Sequence, residues 1–168
     1  MGYNLKSITL ENFVVFKSRT SITFDNTSLN FIEGAQTSDP NQSNGAGKSL
    51  VICGISLALF GKGIRSQYLS DYISDTNPAG GVYIGLELID SSTGNILKIE
   101  RWRRPNSDTN KAKVWLNGSS ISDDMTLSKI DELIQAHIGV TYSNFTACVF
   151  SVMLPGFMKL KPAQRFEM

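Results

Sequence analysis

The chain has 168 residues, 41% of them apolar and 18% charged, which suits one ordinary domain with a real core and excludes a disordered segment. Lys and Arg number 16 against 15 Asp and Glu, a net charge of +1, so any basic surface must come from local clustering rather than a global excess. Two cysteines and one histidine exclude a disulfide framework and a zinc site, and no apolar run suits a signal peptide or a bilayer span, so a cytoplasmic protein without membrane contact is expected.

Residues 7–13 and 20–24 alternate apolar and polar side chains and predict two half-buried strands around a turn at Lys17-Ser18-Arg19. A third short strand is expected over 28–33, ended by Gly34, followed by a loop of turn-forming residues over 35–43. Lys48 to Phe60 is apolar nearly all round and predicts a buried helix, ended by Gly61 and Gly63 with Lys62 and Arg65 at its negative end. The polar stretch 66–79 reads as a surface excursion. Strands over 82–89, 97–103 and 113–116, joined by turns at 91–95 and 105–110, form a β-meander, with a further turn at Asn117-Gly118. Thr126 caps an amphipathic helix over 127–138, with Ile130, Leu133, Ile134 and Ile138 at helical spacing and Gly139 after it. A last short helix starts near Tyr142, capped by Thr141 or Ser143. Cys53 and Cys148 lie in apolar runs and read as buried free thiols.

The stretch Asn44-Gly45-Ala46-Gly47-Lys48-Ser49-Leu50 opens the buried helix and reads as a phosphate-binding P-loop for ATP and Mg2+. The glycines let backbone N–H groups turn inward around phosphate oxygens, and the helix N-terminus adds partial positive charge. Lys48 is placed to neutralise the β and γ phosphates and the Ser49 hydroxyl to ligate magnesium. The usual pattern has glycine six residues before the lysine, where Gln42 stands; the glycine after the strand is Gly34, so the loop is lengthened between Gly34 and Asn44. That insertion is either a lid or partner contact, or a tolerated surface loop.

These residues together resemble the N-terminal lobe of the SMC-like DNA repair ATPases of the SbcC or Rad-fifty type, which include the phage recombination-endonuclease large subunits. The opening 5–13, with its Asn12-Phe13 pair, looks like that family's first strand. Asn44 to Ser49 match its Walker A. Residues 57–62 are similar to the end of its first helix, and 142–145 and 160–165 to the segments either side of its Q-loop. The resemblance implies an α/β fold, the P-loop NTPase architecture of an ABC-type ATPase head, with a mixed sheet, an antiparallel meander and a buried P-loop helix over 1–168. It implies that a C-terminal lobe supplies Walker B and the signature motif, that a coiled coil begins where the chain stops, and that hydrolysis waits for that lobe. Further implied partners are a second head in a homodimer, an SbcD-like nuclease and double-stranded DNA. Asn12, Lys17 and Arg19, with Gly34, are possible nucleotide neighbours by the same resemblance. Asp90 ends a strand, but Ser91 follows it, so no pair of acids marks a Walker B. The Q-loop glutamine position falls near Met153, where no Gln stands.

Arg101, Arg103, Arg104, Lys111 and Lys113 cluster on the meander around Trp102 and Trp115. They are either a DNA-facing strip that grips phosphates or a solvated strand face. His137 is assigned no role. A RecN-, RecF- or SMC-type chromosome ATPase without nuclease is the nearest alternative. A small-molecule P-loop kinase is another, against which the meander after the first helix argues, and a non-enzymatic nucleotide-binding module is a third.

Overall fold

A computed structural model describes residues 2–25, 30–34, 47–64, 68–104, 107 and 109–150. The chain divides into two compact units, Met1–Ile138 and Gly139–Met168.

The first unit is built on a six-stranded sheet. Its strands are β1 (Tyr3–Glu11), β2 (Thr20–Thr23), β3 (Val82–Asp90), β4 (Ile96–Arg103), β5 (Asn110–Leu116) and β6 (Ser119–Ser120). The order is β2-β1-β3-β4-β5-β6, and every neighbouring pair is antiparallel. Period-two alternation explains the sheet. Leu10, Ile84 and Arg101 stand in one cross-strand row; Ile8, Leu86, Ile99 and Val114 stand in the next. These apolar side chains are all at most 1% exposed and face the helices, while their neighbours in sequence face the opposite, open side.

Helix α1 (Lys48–Phe60) lies on the inner face of this sheet. Its whole second half is buried, as the all-round apolar sequence requires. Gly54 permits the close approach, because a Cβ there would lie 2.9 Å from Leu10 and 3.0 Å from Ile8. Gly61, at φ 67°, ends the helix and donates its N–H to the Leu57 carbonyl. Helix α2 (Leu127–Ile138) seals the sheet beside α1 through Ile130 and Ile134, both at most 3% exposed. The Thr126 carbonyl accepts its first helical hydrogen bond from Ile130 N–H. Asn117 at φ 50° and Gly118 at φ 83° form the tight turn between β5 and β6, as the Asn-Gly pair demands.

Three expectations are corrected. No strand forms over 30–33, the described part of the segment expected as a third strand. There the Asn30 side chain brackets Asp25, accepting its N–H and donating to its carbonyl, both at 2.8 Å. Phe31 and Ile32 are adjacent and cannot share a strand face, and Phe31 is 81% exposed. Among the described residues the sheet is therefore wholly antiparallel rather than mixed. Secondly, the excursion after α1 is not merely a surface stretch. Leu69–Tyr72 form a 3-10 turn with Leu69, Tyr72 and Ser74 buried. Tyr72 stacks on Phe13 at 5.0 Å, Val14 N–H bonds the Tyr72 carbonyl and Ser74 N–H the Asn12 carbonyl. Thirdly, the cysteines are not buried: Cys53 is half-buried and Cys148 exposed, because the apolar runs around them are helical and each helix leaves one side less covered.

In the second unit, α3 (Tyr142–Phe150) starts at Thr141, whose hydroxyl accepts Asn144 N–H at 3.2 Å, so Thr141 rather than Ser143 is the cap. The positions expected for the Q-loop, near Met153, and for the following helix start, 160–165, lie outside the described residues, as does the loop over 35–43.

Candidate nucleotide site and the open face of the meander

The phosphate-binding half of the P-loop straddles the edge of what is described. Asn44, Gly45 and Ala46 lie outside it; Gly47, Lys48, Ser49 and Leu50 lie inside and open α1. Gly47 is the N-cap at φ 88° and ψ 8°, a left-handed conformation that a side chain would strain. Space demands glycine too, since a Cβ would stand 2.7 Å from Val15 Cγ2 and 3.3 Å from the Phe16 ring. Among the described residues no side chain caps the helix, and its first turn holds no acid. The positive end of a 13-residue helix is thus left for an anion. Lys48 is half-buried at this end and Ser49 is exposed, while Leu50 N–H turns back to the Gly47 carbonyl at 3.0 Å. These residues fit a bound nucleotide phosphate with its magnesium: orientable N–H donors, one ammonium and one accessible hydroxyl, with no competing carboxylate in the turn.

The turn after β1 closes one side of this end. Phe13 and Phe16 exchange backbone hydrogen bonds at 3.0 and 2.9 Å, which presents Val15 and Phe16 to Gly47. Val14 sits at φ 50°, an uncommon conformation for a β-branched residue, held by its bond to Tyr72. Lys17 follows in the same turn and is exposed. Nothing in the sequence period marked Val15 and Phe16 as neighbours of the P-loop; only the turn's fold brings them there.

Two of the possible nucleotide neighbours have other work. Asn12 is 4% exposed, and its amide N–H groups bond the carbonyls of Asn77 and Gly81 at 3.1 and 2.9 Å, so it ties the excursion to the end of β1. Arg19 lies over the Tyr83 ring at 4.5 Å and 3.6 Å from Glu11, on the open face of the sheet. Gly34 is half-buried irregular backbone.

Asp90 does not serve as a Walker B acid. It ends β3 opposite Tyr3, whereas the P-loop end of α1 abuts the turn that follows Glu11, which pairs with Tyr83. Seven strand residues separate the two levels, about 24 Å. The carboxylate instead accepts the Ser92 hydroxyl at 2.6 Å and the Ser92 N–H at 2.8 Å, bonds that hold its pKa below the usual carboxylate value.

This chain belongs to the AAA domain family, which it matches over residues 7–153. It is an AAA-type ATPase domain of the SMC/SbcC-like superfamily, a P-loop nucleotide binder. No curated protein matches it in sequence.

The basic strip of this ATPase domain is split by strand parity. Arg101 faces inward and is 3% exposed; its Nε donates to the Ala58 carbonyl at 2.8 Å and its Nη2 meets Asp131 at 2.6 Å. It braces the C-terminal end of α1 against α2 and is removed from any DNA-facing strip. Arg103 Nε donates to the Ser107 carbonyl at 2.6 Å. On the open face, Lys113 pairs with Asp123 at 3.0 Å, and Lys98 and Lys113 lie over Trp115 at 5.3 and 5.4 Å. The Ser120 hydroxyl and then Lys113 hold the Asp123 pKa below its ordinary value. Arg104 and Lys111 are exposed. Trp102 and Trp115 are half-buried on this open face, not in the core. Burial, and then the 2.6 Å hydrogen bond to Glu100, push the Tyr83 phenol well above its usual pKa. No helix among the described residues is long and apolar enough to cross a membrane.

Proposed function

We propose that this chain is the ATP-binding N-terminal lobe of an ABC-type, SbcC-like head that acts in double-strand-break repair or recombination. The observation that carries the reading is the start of α1: an uncapped, acid-free helix N-terminus with Gly47 in the left-handed region, Lys48 beside it and Ser49 exposed. The first-turn N–H groups and those of the glycine loop take the phosphate oxygens. Lys48 offsets the charge of the β and γ phosphates, and Ser49 holds magnesium, which draws charge from those phosphates when bound. Val15 and Phe16 keep water from one side of Gly47.

The general base or water-orienting carboxylate comes from elsewhere, because Asp90 is at the far end of β3 and is spent on the Ser92 turn. A C-terminal lobe, joined through a coiled coil, supplies it, and two such heads close over two nucleotides. Closure then regulates double-stranded DNA and an SbcD-like nuclease. A chromosome ATPase without nuclease would use the same lobe, and nuclease stimulation separates the two readings.

Calorimetry tests the proposal. The chain alone is expected to bind ATP with magnesium without turning it over, Lys48→Ala to abolish binding, and hydrolysis to arise only on mixing with the complementary lobe. Robust hydrolysis by the isolated chain sinks the split-head reading in favour of a small-molecule kinase or a self-sufficient NTPase.

A further inference from the structure

The open face of the meander carries a groove that neither phosphate binding nor core packing uses. It has a volume of about 400 Å3 and is lined by Glu11, Val82, Tyr83, Glu100, Trp102 and Arg104, among others. It is open to solvent over most of its extent, so a ligand there would be held on one face rather than enclosed. Strand register builds it. Glu11, Tyr83, Trp102 and Lys111 pair directly across β1, β3, β4 and β5, so they form one row over the sheet. Tyr83 does not stand upright in that row. It leans over Gly85, whose Cβ would lie 2.6 Å from the phenol oxygen, and donates to Glu100. A side chain at position 85 would displace the ring.

The electrostatics of the groove are one-sided. Both carboxylates are already answered, Glu11 by Arg19 at 3.6 Å and Glu100 by Lys98 at 2.8 Å. Arg104 lines the groove and Lys111 stands directly across from Trp102; among the described residues neither cation has an ion-pair partner. The groove therefore offers a half-exposed indole and one cation without an ion-pair partner, Arg104, with a second, Lys111, on the neighbouring strand opposite Trp102. A simple anion has no use for the indole, and an apolar peptide has none for the cations. A nucleotide carries a π face and a negative charge on one short unit, and in a single strand a phosphate flanks the base on each side, as two separated cations would require. A duplex hides its π faces by stacking.

We propose that this groove holds one unstacked base of a single-stranded nucleic acid against Trp102, with the flanking phosphates on Arg104 and Lys111. The inference rests on the proposed function in that it takes a nucleic acid as a partner, and it assigns the open face of the meander to an unpaired stretch of that partner.

Fluorescence anisotropy on the whole chain tests it, with four probes: an oligothymidylate of about twelve nucleotides, an abasic strand of equal length, a duplex and polyglutamate. The oligothymidylate is expected to bind about 10-fold tighter than the abasic strand. Trp102→Ala removes that difference and leaves abasic binding unchanged; Trp102→Tyr, which keeps a stacking ring, restores most of it. Arg104→Ala, at an exposed position, weakens both strands alike and lowers the slope of log affinity against log salt by about one. Equal affinity for the abasic strand and the oligothymidylate overturns the base pocket while leaving a phosphate-gripping surface intact. No binding to any strand or duplex overturns the nucleic-acid surface as well. Tighter binding of polyglutamate than of oligothymidylate overturns the proposal and assigns the groove to an acidic protein partner.

Discussion

Lys98 and Arg101 stand on the same strand, yet the Lys98 side chain is 38% exposed and that of Arg101 4%. Their spacing is odd, so the pleat sends them to opposite faces. On the inner face the guanidinium sits beneath two helices and is tolerated because it is paired on two sides: its Nε answers a carbonyl at the negative end of α1 and its Nη2 a carboxylate on α2. On the open face Lys98 pairs with Glu100 on its own strand and Lys113 with Asp123, and both ammonium groups lie over Trp115, where solvent reaches them. One cluster of basic residues in the sequence is thus two structures, an internal brace and a solvated surface. Basic composition alone does not distinguish them.

Substitutions on the two faces separate these roles by size of effect. Ile99→Ala, in the fully buried row, is expected to cost about 3 kcal/mol in urea unfolding through lost burial and a residual cavity. Arg101→Met is expected to cost about 2–3 kcal/mol; this is below the cost of breaking a fully buried pair, because the Asp131 side chain is 36% exposed. A loss under about 0.5 kcal/mol at Arg101 would show that the brace is a surface pair like the others.

Tyr83→Phe on the open face loses about 1 kcal/mol with the Glu100 hydrogen bond. It also tests pH linkage. The folded Tyr83 holds its proton more tightly than the unfolded chain does, so its contribution is fully present below pH about 10 and is lost as pH rises beyond that value. Ultraviolet titration is expected to find a late tyrosine phase that the Phe variant lacks. Lys113→Ala should change stability by no more than about 0.5 kcal/mol. A larger loss would mean that the Lys98–Trp115–Lys113 arrangement is a cooperative structural element.

Much of the frame was legible because it rests on local periodicity. The bounds of α1 and α2, the three meander strands and the Asn117-Gly118 turn follow from 3.6- and two-residue patterns and from residues that tolerate left-handed backbone. Gly47 to Leu50 open α1 where the sequence put the start of that helix, because a glycine at a helix N-terminus is a local signal. The stretch 30–33 misled because a few apolar residues imitate a strand, while the Asn30 amide satisfies the backbone that a strand partner would need. The excursion over 69–74 misled in the opposite sense. Its polar composition concealed Leu69 and Tyr72, whose burial depends on Phe13, far away in sequence.

What the sequence by itself determined is therefore the two long helices and the meander, with a glycine-lysine-serine run at the start of the first helix, because these are written in short-range spacing. What only the tertiary structure decided is which polar residues are spent on the fold and which remain for a ligand. Asn12 went to Asn77 and Gly81, Arg101 to Ala58 and Asp131, and Asp90 to Ser92, while Arg104 and Lys111 stayed exposed beside Trp102. Long-range strand pairing sets those partners, and a residue's type does not reveal on which side of the pleat, or against which distant carbonyl, it will finish.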